Sequence, residues 1–135
     1  MASDDRGTSW DYLATVAYDP SIGEESFCEP SMVLLSDGDL FCIMRTGYTH
    51  DPMYLCWSSD RGRTWTKPVS SGVIGVDPML IVMHDGTLVC SYGVKERDSR
   101  RRERRLMFAL DGRGETWSVD LPHIRWRRRD LSRGV

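Results

Sequence analysis

The chain has 135 residues, a formal net charge of −2, and 40% apolar against 28% charged side chains. That is enough apolar content for a packed core of ordinary domain size, and no apolar run approaches the ~20 residues of a membrane-spanning helix. Cys28, Cys42, Cys56 and Cys90 are too widely spaced for a CxxC zinc site, and His50, His84 and His123 form no ligand cluster, so neither a metal nor a cofactor is expected.

The first element is a turn that recurs. Ser3 to Trp10 reads SDDRGTSW, Ser58 to Trp65 reads SSDRGRTW, and Leu110 to Trp117 reads LDGRGETW. In the first two, an Asp two residues before a Gly can accept backbone N–H bonds inside the turn, the Gly supplies positive φ, and the Trp covers the turn with apolar area. The third is degraded: Leu110 and Gly112 stand where Ser and Asp belong, with Asp111 one residue away. The copies begin 55 and 52 residues apart, the period of a four-stranded propeller blade. The expected fold is therefore all-β, a partial β-propeller of four-stranded antiparallel blades.

Between the turns lies a second repeat. EPSMVLLSDGDLFCIMR, Glu29 to Arg45, aligns without gaps to DPMLIVMHDGTLVCSYG, Asp77 to Gly93, at an offset of 48. An Asp-Gly between two apolar runs of strand length predicts a hairpin, and the near-continuous runs predict strands buried on both faces. Cys42 and Cys90 fall at equivalent strand positions, as small apolar core residues rather than disulfide partners. Pairing about Asp37-Gly38 brings Glu29 and Arg45 to one rim and sends the tryptophan-capped turns to the other. The second repeat holds Asp77 and Gly93 at the same places, so the hairpin alone does not require the Glu/Arg combination.

The pattern S-x-D-x-G-x-[ST]-W resembles the Asp box of the sialidase (neuraminidase) superfamily, with its BNR repeats. The resemblance implies structural roles for Ser3, Asp5, Gly7 and Trp10, for Ser58, Asp60, Gly62, Thr64 and Trp65, and for Gly114, Thr116 and Trp117, away from the substrate. It also implies a catalytic Glu29 that polarises a tyrosine nucleophile, and Arg45 as one of three arginines that clamp the substrate carboxylate. Chemically this is coherent: a guanidinium fork binds a carboxylate bidentately, and sialidases use tyrosine because the anomeric carbon already bears a carboxylate. A third clamp arginine is expected just before the third box, at Arg105 in preference to Arg104. The alternative for Glu29 and Arg45 is a surface ion pair, worth ~0–1 kcal/mol.

The family's general-acid Asp and first clamp Arg precede the part of the pattern seen here, and its Tyr follows the third box; Tyr12, Tyr18, Tyr48, Tyr54 and Tyr92 all come earlier. The expectation is a central slice, two to three blades of a six-bladed propeller spanning 1–120, that is inactive alone. Its partners would be an acidic sugar or glycan and the remaining blades or further copies. Residues 1–94 carry 5 basic and 13 acidic side chains, and residues 95–135 carry 13 and 7. SRRRERR, Ser99 to Arg105, reads as a charged loop, and 121–135 as a basic tail, non-native or disordered. Overall charge and the lack of a recognition motif argue against nucleic acid. No signal-peptide pattern is seen, and the sequence assigns no compartment. The parent is expected to be an exo-α-sialidase-like glycoside hydrolase, with a non-catalytic glycan- or protein-binding repeat propeller as the competing reading.

Overall fold

The computed structural model describes residues 1–22, 26–47, 51–95 and 102–119. Their strands are β1 (Phe27–Leu34), β2 (Leu40–Thr46), β3 (Pro52–Ser58), β4 (Val69–Ile74), β5 (Val76–Val82), β6 (Leu88–Lys95) and β7 (Arg102–Ala109), and the described residues contain no helix. One antiparallel meander runs β1-β2-β3-β4 and a second β5-β6-β7. Ser118 bridges to Phe108 beside β7, as Thr66 bonds to Trp57 beside β3, so the second sheet opens a fourth-strand position in the same place. The two meanders are successive blades of a partial β-propeller.

Local chemistry sets both hairpins. Leu35 N–H donates to Asp39 O at 2.8 Å, Gly38 N–H to Leu35 O at 3.1 Å, and Asp39 N–H to the Asp37 carboxylate at 3.0 Å. Met83, Asp85, Gly86 and Thr87 repeat the set at 2.8, 2.9 and 3.0 Å. A turn held by its own side chain pins the strand register on either side.

The main core lies between the sheets, where Phe41, Ile43, Met53 and Leu55 meet Leu80, Leu88, Cys90, Tyr92 and Met107. Phe41 is its centre, with ring centroids 5.3 Å from Trp57 and 6.0 Å from Trp117. A smaller cluster of Cys42, Met44 and Cys56 packs under Val16, Ala17, Phe27 and Trp65. No disulfide links the cysteines; burial pushes the Cys42 and Cys90 thiols to about 12 and Cys56 to about 11, keeping them protonated.

Two expectations need correction. The first run of each hairpin is not buried on both faces: Met32 and Leu34 on β1, and Met79 and Ile81 on β5, are exposed, because they stand opposite Cys42, Leu40, Ser91 and Val89 on the faces turned away from the core between the sheets. β2, β3 and β6 each have a strand on both sides. The charged segment before the third box is not all loop, since Arg102 to Arg105 open β7 and pair with Lys95 to Tyr92; the backbone ladder forms while Glu103, Arg104 and Arg105 stay exposed to solvent. The basic tail expected at 121–135 lies outside the described residues, as do Ser99 to Arg101.

Candidate functional site

The boxes occupy one rim, with the Asp-Gly turns. In the first, Gly7 N–H donates to Ser3 Oγ at 2.7 Å, Ser9 N–H to Asp5 at 2.9 Å, and Trp10 Nε1 to Gly7 O at 3.2 Å. In the second, Gly62 N–H donates to Ser58 Oγ at 2.8 Å, Thr64 N–H and Oγ1 donate to Asp60 at 2.8 and 2.6 Å, and Trp65 Nε1 to Gly62 O at 3.1 Å. Bonds from Ser9 and Ser3 hold the Asp5 carboxyl at about 2, and bonds from Thr64 and Ser58 hold Asp60 at about 2.

The third box differs by an insertion. Met107 faces Cys90 as Cys56 faces Cys42, which makes Ala109 the counterpart of Ser58 and Asp111 the counterpart of Asp60, with one extra residue before Gly114. One carboxylate then covers two jobs: Asp111 accepts Gly114 N–H at 2.8 Å, in place of the missing serine hydroxyl, and Thr116 N–H at 2.7 Å, besides Arg113 N–H at 2.8 Å. Trp117 Nε1 still donates to Gly114 O, at 2.9 Å. Gly114 has φ +75°, and a Cβ there would lie 2.8 Å from Phe41 Cζ. Arg113 ties this box to the preceding blade through Asp37 and Asp39, the latter at 3.1 Å, and its carbonyl accepts Trp57 Nε1 at 2.7 Å.

Glu29 and Arg45 meet at the opposite rim. Arg45 Nη2 donates to Glu29 Oε1 at 2.9 Å, Nε lies 2.6 Å from Oε2, and Nη1 donates to Thr46 O at 2.8 Å. The guanidinium is the better buried partner, at 19% side-chain exposure against 36% for the Glu. A bulge between Cys28 and Ser31 places Glu29 here, with φ 51°. A glutamate in that left-handed region carries strain of about 1 kcal/mol or more, a feature that concentrates at functional sites.

The second repeat reproduces the backbone and changes the chemistry. Asp77 also sits at a bulge, with φ 50°, and its N–H donates to Glu29 Oε2 at 2.9 Å, joining the blades. Gly93 replaces the arginine, and Arg104, paired opposite Gly93, reaches past it: Nη1 donates to Asp77 O at 3.2 Å and Nη2 lies 3.8 Å from the Asp77 carboxylate. Arg105, preferred on sequence, faces Tyr92 across the ladder and pairs with Glu103 at 3.1 Å. The structure thus brings Arg45, Glu29, Asp77 and Arg104 into one row, two acids flanked by two arginines, and leaves Arg105 on the other face of β7. Sequence reading missed Asp77 and Arg104 as contributors; Gly93, a gap where the first repeat has Arg45, was the available signal.

The hydrogen bond from Arg45 pulls the Glu29 carboxyl down, burial pushes it up, and the Asp77 N–H pulls it down further, to about 2 from an ordinary 4.5. Glu29 is therefore a permanent anion near neutral pH, suited to orienting and polarising a donor rather than to delivering a proton. Tyr92 is buried in the core, and burial raises its hydroxyl pKa. Among the described residues no His/Cys/Asp/Glu group is arranged to hold a metal, and no helix is long and apolar enough to cross a membrane.

No curated protein matches the chain in sequence. Among solved structures it is similar to a protein of unknown function from Dyadobacter fermentans, at 29% identity and TM-score 0.68 over 78% of this chain and 28% of that one. It is also similar in fold to an alpha-L-arabinofuranosidase from Fusarium graminearum, solved with an iminosugar inhibitor, at 18% identity and TM-score 0.62 over 79% of this chain and 34% of that one. The chain thus spans about a third or less of the length of these structures. Residues 1–125 match the model of the BNR repeat-like domain, and with Asp boxes at one rim of propeller blades the chain belongs to that sialidase-like family.

Proposed function

We propose that the chain supplies part of the substrate rim of a glycoside hydrolase-like propeller acting on a terminal sialic acid or related acidic sugar. The observation that carries this reading is the Glu29–Arg45 contact at the rim opposite the boxes, built on a strained bulge. Arg45 presents a guanidinium to the sugar carboxylate, and ionised Glu29 orients it and accepts a hydrogen bond from a phenol supplied by another segment. The blades from 1 to 120 act as the scaffold. The chain's tyrosines all precede the third box in sequence, whereas the family's nucleophile follows it, so on this reading the 135 residues alone do not turn substrate over.

The test is ligand-observed NMR on the whole chain with N-acetylneuraminate and its methyl ester. Preference for the free acid, lost in Arg45→Ala, is expected; equal binding of acid and ester overturns the reading. Release of fluorophore from 4-methylumbelliferyl sialoside, abolished by Glu29→Ala, would overturn the inactivity of the isolated chain. A second reading, a non-catalytic repeat propeller that binds glycans or proteins, is favoured by one observation: much of the Arg45 fork is already engaged by Glu29 and Thr46 O. It predicts no binding of either sugar.

A further inference from the structure

Glu29 is held from two sides. Arg45 grips it within its own blade, whereas the Asp77 N–H grips it from the next one. A backbone donor is only as well aimed as its peptide plane, and residue 77 sits in the left-handed region where a non-glycine residue persists only if its surroundings hold it. Val76 beside it pairs with Gly93. A further hold on Asp77 comes through Arg104, which contacts both its carbonyl and its carboxylate.

Gly93 makes that reach possible. Strand β6 lies between β5 and β7, so a side chain from Arg104 must pass over the residue opposite it to arrive at Asp77. A Cβ at position 93 would already stand 3.1 Å from Val76 Cγ2, and a longer side chain would fill the path.

We propose that Arg104 is a positioning residue for Glu29, acting through Asp77 across the blade junction, and that the rim depends on it rather than on the neighbouring Arg105. The charged groups facing Glu29 among the described residues are Arg45 from β2 and Asp77 from β5, with Arg104 from β7 behind the latter. Removing Arg104 has two effects of the same sign. The Asp77 amide loses its alignment, and the Asp77 carboxylate loses its countercharge beside a second carboxylate; both disfavour ionised Glu29. Arg105 contacts Glu103 instead, so its removal leaves Glu29 untouched.

Two readouts on the full chain test this. The first, at neutral pH, is hydrogen exchange of the Asp77 amide: Arg104→Ala is expected to speed it about tenfold by opening the bond to Glu29, with Arg105→Ala unchanged and Arg104→Lys in between. The second is the carboxyl carbon titration of Glu29, assigned with Glu29→Gln, where Arg104→Ala is expected to raise the midpoint by about half a unit or more. Exchange and midpoint both unchanged in Arg104→Ala, or moved as far in Arg105→Ala, overturn the proposal. The Arg104 side chain is 58% exposed, so Arg104→Ala retains the fold, and Arg104→Gln serves as a second, neutral variant that keeps part of the aliphatic stem. The substrate relevance rests on the acidic-sugar reading, and a separate arm tests it: N-acetylneuraminate that fails to bind wild type sinks that reading, while the exchange result stands or falls independently.

Discussion

The hairpin spanning β1 and β2 and the hairpin spanning β5 and β6 share their turn bonds, their bulge and a left-handed acidic residue, yet draw their arginine from different places. In the first it comes from the second strand, as Arg45; in the second it crosses from the third strand, as Arg104 over Gly93. The backbone repeat fixes where the acid stands, and any strand whose side chain can reach that corner supplies the cation. Equivalence of position in a repeat is thus a guide to backbone geometry and a poor guide to which residue completes a site.

The largest difference between the blades is in packing. Phe41 and Val89 are equivalent residues, but Phe41 is fully buried between the sheets while Val89 lies on the side of the second sheet away from the first. Phe41→Ala should cost about 3–5 kcal/mol in urea unfolding, and Val89→Ala about 1–2 kcal/mol; equal costs would mean that the junction is not the main core. Gly114→Ala probes the same place from the box side. Overpacking against Phe41 together with a left-handed backbone should cost about 2–3 kcal/mol, well above Gly38→Ala, where a Cβ meets nothing within 4 Å.

The boxes give the next contrast. Asp111 carries bonds that box two divides between Ser58 and Asp60. Asp111→Asn should therefore lower the thermal midpoint more than Asp60→Asn, whose exposed carboxylate shares its load with Ser58. Restoring a serine at position 109 in that variant should recover part of the loss, and no recovery would place the Gly114 amide's satisfaction elsewhere.

Acid sharpens the comparison further. Asp5, Asp60 and Glu29 are depressed in the fold, to about 2 from 3.8, 3.8 and 4.5. Depressed carboxylates contribute stability that is complete above their unfolded values and is lost as pH falls through the folded ones. The thermal midpoint should hold steady above pH 5 and decline from about pH 4.5 toward about pH 2, less steeply in Glu29→Gln. A profile that is flat across that window would contradict the bonding described. The smallest effect belongs to Gly93→Ala, about 1 kcal/mol or less from crowding Val76, with faster exchange at Asp77 as its more sensitive sign.

Most of the architecture was legible because its determinants are local. An Asp that bonds to the amides of its own turn, a Gly with positive φ and a Trp that caps the loop act within eight residues, and the Asp-Gly hairpins act within five. The corner that joins Glu29 to Arg45 followed from strand direction alone. What escaped the sequence was long-range or depended on register. One inserted residue before Gly114 shifts alignment by one, and in a strand a one-residue shift exchanges faces, so the sequence did not reveal that Arg104, not Arg105, reaches Asp77. Likewise, an apolar run does not reveal whether both faces of its strand meet another layer, so β1 and β5 were expected to be covered on both sides.

The left-handed backbone at Glu29 sets up a conflict between durability and chemistry. Glycine there would relax the chain and remove the carboxylate in one step. Because that carboxylate also ties Arg45 to the Asp77 amide of the next blade, selection for heat resistance alone would pull position 29 in two directions, toward an unstrained backbone and toward the bonded anion.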